Sequence, residues 1–342
     1  MKNTFYITTT LPYVNADPHL GHALEFVHAD IIARYKRLLG QEVFFNIGTD
    51  EHGQKILEKA VLEGKGVQEH ADHYAARFRQ FADMLAISYT NFIRTTDAHH
   101  KMAAGEFWKR CEANGDIYKK LYTVKYCVGC ELEKSDSELL EGKCPIHPGT
   151  EIQLREEENY FFRFSKYKER LLKLYGDNPD FILPSTRRTE ITKFVQRGLQ
   201  DFSISRLKEK MAWGIGVPGD EEHVMYVWFD ALVNYISAIG WPNDQEKFEK
   251  WWPVVQIAGK DNLRQQAAMW QAMLMSANLP PSKQIIIHGF ITSGGQKMSK
   301  SVGNVVSPAD IVKEYGVDAL RYYLAREITP FEDGDFTEEH FK

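Results

Sequence analysis

Hydrophobic and polar positions along the first hundred residues alternate between two periods. The run Phe5-Tyr6-Ile7-Thr8-Thr9-Thr10-Leu11 is β-branched and aromatic, which predicts a strand that Pro12 ends. From Leu20 to Leu39 the apolar residues Leu24, Val27, Ile31, Ile32, Tyr35 and Leu38 recur at the spacing of one helix face, and Gly40 follows as a C-terminal cap. Val43-Phe44-Phe45-Asn46-Ile47 predicts a second strand. Strand, helix and strand in this order form a βαβ unit, which implies a parallel sheet with a right-handed crossover.

From about Tyr118 to Val217 that rhythm breaks, and cysteines, acidic clusters, Pro-Gly turns and a basic stretch take its place. Strand-like runs resume at Val224-Met225-Tyr226-Val227-Trp228, at Val254-Val255-Gln256-Ile257-Ala258 and at Ile285-Ile286-Ile287. The expected fold is α/β: a doubly wound parallel sheet split by an inserted domain. The expected divisions are a first half over 1–115, an insert over 116–222, a second half over 223–290 and a closing segment over 291–342. In that last segment Ser307-Pro308-Ala309-Asp310 predicts a helix start, with Ser as N-cap and Pro in the first turn.

Composition changes this picture little. With 43% hydrophobic and 26% charged residues the chain is ordinary for a globular protein. No run of eighteen apolar residues occurs and the N-terminus lacks a signal-peptide layout, so a cytoplasmic protein is expected. The net charge of −5 argues weakly against a nucleic-acid partner. From Arg163 to Lys210, however, twelve Lys or Arg stand against six Asp or Glu, a stretch suited to phosphates or simply to solvent.

Candidate chemistry sits in three places. His19-Leu20-Gly21-His22 lies between the first strand and its helix, where free N–H groups and the positive dipole end favour an anion. The two histidines, three apart, face the same way on a first helical turn. Lys297-Met298-Ser299-Lys300-Ser301 follows Gly294-Gly295 and offers two lysines to a polyphosphate. Cys127-x-x-Cys130 and, thirteen residues later, Cys144-x-x-His147 have the spacing of a tetrahedral zinc knuckle. All four ligands would come from protein, so such a site is structural. Cys111, in a helical stretch, reads as a buried small side chain.

The first two motifs together resemble the paired signatures of class I aminoacyl-tRNA synthetases, His-Ile-Gly-His and Lys-Met-Ser-Lys-Ser. Leu11-Pro12-Tyr13-Val14-Asn15, Gly48-Thr49-Asp50-Glu51-His52-Gly53, Glu157-Glu158-Asn159-Tyr160-Phe161-Phe162 and Tyr226-Val227-Trp228-Phe229-Asp230-Ala231-Leu232 are similar to the methionyl branch. The likeness spans essentially all 342 residues. From His22 to Lys297 there is too little chain for the large editing domain of the valine, isoleucine and leucine relatives.

The resemblance implies activation of L-methionine by ATP to methionyl-adenylate and pyrophosphate, then transfer to tRNA(Met). It places ATP against His19, Gly21, His22, Gly259, Asp261, Lys297 and Lys300, with His19, His22, Lys297 and Lys300 catalytic and Mg2+ on the phosphates. Methionine would meet Leu11, Tyr13, Asp50, Trp228, Ala231 and Tyr235, with the Asp50 carboxylate on its ammonium. Structural Zn2+ on Cys127, Cys130, Cys144 and His147 fits the same branch, as does a segment from 291 that carries the lysine loop and begins a stem-contact region. Gln265 and Gln266 depart from the pattern, since they stand where a Phe-His pair usually lines the pocket. In the branch a helical anticodon-binding domain follows a point like Asp335-Phe336-Thr337-Glu338-Glu339. A catalytic fragment, or half of a split protein, is therefore expected, with adenylate formation retained and tRNA charging weak. Two other readings stay open: a nucleotidyltransferase that activates a different small carboxylic acid, and a non-catalytic RNA-binding module.

Overall fold

A computed structural model describes residues 3–127, 132–134, 139–145, 148–149, 151–297 and 306–342, without the side chains at 124, 126, 132–134, 155, 296 and 297. At its centre six parallel strands lie in the order Asn91–Arg94, Glu42–Thr49, Thr4–Thr8, Val255–Gly259, Gln284–His288, Ile182–Leu183. The chain winds outward from Thr4–Thr8 in one direction first and in the other later. The loops leaving Thr4–Thr8 and Val255–Gly259 therefore diverge and open a crevice at the strands' carboxyl ends.

The alternation of a strand distributes its side chains between two cores. Phe5, Ile7, Val43, Phe45, Ile47 and Ile257 join the helix Leu20–Leu38 on one face. Tyr6, Ala258, Ile285 and Ile287 join Phe107, Trp108, Trp270 and their neighbours on the other. Helices thus cover both faces, as a doubly wound sheet requires.

Three sequence expectations need adjustment. The first strand stops at Thr8 rather than Leu11. Beyond it the chain still runs beside the second strand's extension, where Tyr13 and Asp50 form a parallel bridge. The helix Leu20–Leu38 forms as predicted, but Ile31, Tyr35 and Leu38 are exposed. Its inner face runs instead through Leu20, Ala23, Leu24, Val27 and Asp30, and Asp30 is buried because Ser88, Arg34 and Arg321 all donate to it. At Val224–Trp228 the strand ends at Met225, in a small antiparallel sheet with Ser205–Leu207, and Val227–Ala231 is helical. A short apolar run has no period that separates the two states, and here tertiary context selects the helix.

Between 116 and 222 an antiparallel sheet of Leu132–Lys134, Ile117–Cys127, Ile152–Phe162 and Phe202–Ser203 stands apart from the parallel one. The same stretch also supplies Ile182–Leu183 as the edge of the parallel sheet. Ser307 caps the helix Pro308–Tyr315 by accepting from Asp310 N–H, with Pro308 at its first position. No described helix is long and apolar enough to cross a membrane.

The carboxyl end of Glu42–Thr49 is braced by Glu51, which is fully buried. Arg94 grips its carboxylate with two bonds of 2.7 and 2.8 Å, and the Thr49 and Thr96 hydroxyls donate to it as well. Removing one partner of such a pair strands a buried charge. Arg94→Met is expected to destabilise the chain by about 3 kcal/mol, at the low end for buried pairs because Arg94 is partly solvated. The check is a shift in the urea midpoint at unchanged slope.

Candidate active site

The crevice holds a cavity of about 560 Å3. Leu11, Tyr13, His19, Gly21, His22, Asp50, Trp228, Ala231, Tyr235, Gly259 and Asp261, scattered over 250 positions of sequence, all line it. Of the other expected site residues, Lys300 lies outside the described residues, and so does the side chain of Lys297.

His19 and His22 begin the helix Leu20–Leu38 and cap it reciprocally. His19 Nδ1 accepts from Gly21 N–H at 3.1 Å, and His22 Nδ1 accepts from His19 N–H at 3.2 Å. A backbone N–H can only donate, so both Nδ1 atoms are bare and each neutral ring carries its proton on Nε2. The rings stack with centroids 3.9 Å apart, and Phe78 meets His22 edge-on from the other side. Burial and the neighbouring His19 ring hold the His22 pKa well below its ordinary value, in line with the neutral form. The helix carries no acidic residue in its first turn. Two Nε2–H donors at a positive helix terminus form a receptor for an anion.

Across the cavity Asp50 is 5% exposed, and its Oδ1 has no hydrogen-bond partner. Burial, reinforced by the nearby Asp230 carboxylate, pushes the Asp50 pKa well above its ordinary value. Asp230 is itself buried and faces His52 Nδ1 at 3.2 Å. A buried carboxylate without a cation is costly unless a ligand supplies one, and an ammonium does. Trp228, Ala231 and Tyr235, spaced i, i+3 and i+7 through the helices Val227–Ala231 and Asn234–Ser237, form the adjoining wall. The end of the strand Val255–Gly259 supplies the remaining side. A Cβ on Gly259 would come within 2.8 Å of Asp261 Oδ1 and push that carboxylate from its present position.

Sequence reasoning missed Glu25 and His288, which also line the cavity. Glu25 Oε1 accepts from the Thr10 N–H at 2.6 Å and the Thr10 hydroxyl at 2.7 Å, and Oε2 pairs with His288 Nε2 at 2.9 Å. His288 Nδ1 faces the Gly289 carbonyl at 2.7 Å. Both ring nitrogens thus face acceptors, which favours the imidazolium, and the His288 pKa is raised by Glu25 against the opposing effect of burial. A signal for Glu25 existed in the sequence, since His19, His22 and Glu25 are three apart in one helical row.

The raised His288 pKa sets a sign. Its stabilising contribution is complete below the unfolded value of 6.5 and is lost as pH rises through the higher folded value. Glu25→Gln is expected to cost about 1.5–3 kcal/mol of stability at pH 6 and less at pH 9, read from urea unfolding at the two pH values.

Of the four expected zinc ligands, Cys127 and Cys144 are fully buried, at the end of Ile117–Cys127 and in a nearby loop. Cys130 and His147 lie outside the described residues. Among the described residues no group of three or more His, Cys, Asp or Glu is placed to hold a metal. Cys111 is buried in the helix Ala98–Ala113, and burial pushes its thiol up to about 12, which suits an inert packing role.

A family model for tRNA synthetases class I (M) matches residues 5–153 and 137–342. The methionine–tRNA ligase of Thermosynechococcus vestitus is 48% identical over 347 residues, covering 100% of this chain and 65% of that protein. The one from Thermotoga maritima is 48% identical over 339 residues, covering 98% and 54%. The chain thus spans about two thirds or less of the length of these curated relatives. Among solved structures, Mycobacterium tuberculosis methionyl-tRNA synthetase in complex with methionyl-adenylate superposes with a TM-score of 0.91 at 44% identity, covering 100% of this chain and 67% of that one. Its apo form gives 0.81.

Proposed function

Because the chain belongs to the family of class I tRNA synthetases (M), we propose that it activates L-methionine with ATP, as the first half of a methionine–tRNA ligase reaction completed on tRNA(Met). The observation that carries this reading is the meeting, in one cavity, of a buried Asp50 carboxylate whose Oδ1 has no partner with the Nε2–H donors of His19 and His22. One suits an amino acid's ammonium and the others suit phosphate oxygens. Such a cavity holds two reactants side by side.

In this reading Asp50 fixes the ammonium, so that the methionine carboxylate faces the α-phosphate of ATP. Attack there forms the acyl phosphate bond and releases pyrophosphate. His19 and His22 donate to phosphate oxygens as charge moves toward the leaving group, and Gly259 and Asp261 take the ribose. No covalent nucleophile on the protein is required, and the rate comes from positioning and charge stabilisation. Mg2+ bound to ATP would supply neutralisation of phosphate charge. Lys297 and Lys300 are assigned to the same phosphates by the resemblance of their motif.

We assign structural zinc to Cys127, Cys130, Cys144 and His147 on their spacing and on the burial of both described thiols. A reducing compartment such as the cytoplasm suits the thiols that such a site needs. Zinc analysis checks the assignment: Cys127→Ser is expected to lose bound metal and to melt at lower temperature. The excess of six positive charges between Arg163 and Lys210 is assigned to contact with tRNA phosphates.

ATP–pyrophosphate exchange across the twenty amino acids tests the whole reading. Methionine is expected to drive exchange far above the others. Exchange driven only by some other carboxylic acid would favour a different nucleotidyltransferase. Failure to bind ATP would favour a non-catalytic RNA-binding module.

A further inference from the structure

Outside the cavity, the hairpin that ends at Lys297 is splinted by a strand of the closing segment. Ile291–Ser293 and Gln296–Lys297 pair antiparallel, with Thr292 opposite Lys297. Gly294 and Gly295 make the two-residue turn at φ of +62° and +72°, the left-handed conformation that so tight a turn demands. Gly334–Phe336 pairs in parallel with the other edge of Ile291–Ser293 and sets Asp335 beside Thr292. Asp335 Oδ1 accepts from the Thr292 hydroxyl at 2.6 Å and from the Gly295 N–H at 2.9 Å. Those two donors hold the Asp335 pKa below the ordinary carboxylate value, so it accepts as an anion. One carboxylate thus ties the hairpin's first strand to its turn, just ahead of Lys297.

Asp333 fixes the other end. Its Oδ1 accepts from the Phe290 N–H at 2.9 Å, and its Oδ2 accepts from Lys260 Nζ at 2.6 Å. Lys260 stands between Gly259 and Asp261, where the strand Val255–Gly259 reaches the cavity. At Gly289 the two backbones touch, and a Cβ there would lie 2.0 Å from the Glu332 carbonyl oxygen. The splint is rooted in the helix Val317–Arg326, since the Tyr323 hydroxyl donates to the Asp335 carbonyl at 3.3 Å. Arg321 of that helix bonds Asp30 of the histidine-bearing helix at 2.6 Å. The hairpin is therefore tied to both sides of the cavity, although Thr292, Asp333 and Asp335 do not line it.

We infer that Asp335, with Asp333 at the hairpin's base, is a positioning residue that sets where the Lys297 backbone stands relative to the reacting phosphates. The inference rests on the proposed function, in which Lys297 serves the phosphates of ATP. A two-stranded hairpin is marginal by itself in water, so its direction must come from what it is bonded to. A charge stabilises a transition state best when its carrier is held in place before the charge develops. The two charge-assisted bonds to Asp335 supply that hold without touching substrate. Loss of them lets the turn shift about its glycine pair. The methionine side of the cavity is untouched by such a shift, while the step at the α-phosphate slows.

The test measures methionine-driven pyrophosphate exchange by the 342-residue chain and, separately, its equilibrium binding of methionine. Asp335→Ala is expected to lower kcat by about 10–100-fold, the cost of slightly misplacing a charge-stabilising group. The KM and the dissociation constant for methionine are expected to stay within about twofold, since an interaction made in the transition state is what is lost. Asp335→Asn, whose Oδ1 accepts from the same two donors, is expected to recover most of kcat. Thr292→Val removes one donor only, should lower kcat by about 3–10-fold, and serves if Asp335→Ala fails to melt cooperatively. A merely structural role would weaken methionine binding in step with kcat. That result, or a kcat unmoved in folded variants, overturns the inference while leaving the proposed function standing. Absence of methionine-driven exchange by the unmodified chain overturns both.

Discussion

Asp50→Asn is expected to reduce kcat/KM for methionine-driven pyrophosphate exchange by about 10²–10³-fold, the range for removing one partner of a buried charge pair. The substitution keeps size and shape, so the loss reports charge. The Asp50 carboxylate is 5% exposed and lines the cavity with Oδ1 unpartnered. Its natural complement is a cation brought by the substrate. The same substitution should raise the melting temperature of the ligand-free chain by about 2–5 °C at pH 7, because it removes a charge whose burial is unfavourable.

The sign follows from the raised pKa of Asp50, held up first by burial and then by Asp230. A carboxyl with a folded value above its unfolded value destabilises the fold wherever it is ionised. That penalty fades as pH falls through the folded value. The gain in melting temperature from Asp50→Asn should therefore be largest at neutral pH and shrink in acid. Opposite movements of activity and stability would mark Asp50 as a binding group. If both fell together, Asp50 would be a structural brace and the assignment to substrate would fail.

His22→Ala carries the second large effect, a fall in kcat of about 10²–10³-fold with the KM for methionine little changed, since one oriented donor to developing phosphate charge is lost. Part of any loss would come from the helix cap, because His22 Nδ1 accepts the His19 N–H. That contribution is on the order of 1 kcal/mol. His22→Asn separates the two roles. Asparagine still offers an oxygen to the His19 N–H, but it has no group at the reach of the imidazole Nε2. Stability is expected to return with His22→Asn while kcat stays low. Recovery of kcat with asparagine would show that the cap, and not the donor, had been measured.

His19, His22 and Asp50 took their roles from motif resemblance, and each also lies where a local rule applies. His19 and His22 sit three apart at a strand-to-helix turn, and Asp50 sits at a strand's carboxyl end. Trp228, Ala231 and Tyr235 were assigned through motif resemblance, and the surrounding run was expected to be a strand. It is helical through Val227–Ala231, and the i, i+3, i+7 spacing is what puts all three on one wall. Glu25 and His288 were not legible as a pair, although Glu25 continues the histidine row. Their bond joins positions 263 apart, and no local pattern relates them. The buried bonds that join Gln266 to Gln256 and Tyr235 were invisible for the same reason. Gln266 stood out only as a departure from the methionyl pattern, with nothing to show that Gln256 and Tyr235 would satisfy its amide.

The first βαβ unit, the parallel α/β class and the place of His19 and His22 at a strand-to-helix turn were determined by sequence alone. Hydrophobic period and helix-end chemistry act over a few residues and leave their mark in neighbouring letters. Tertiary structure alone decided which face of Leu20–Leu38 is inner, where Ile182–Leu183 pairs, and which way each buried amide points. Those outcomes depend on groups tens to hundreds of positions apart being driven into one interior, where every unpaired donor or acceptor is costly and only the assembled fold can supply its partner.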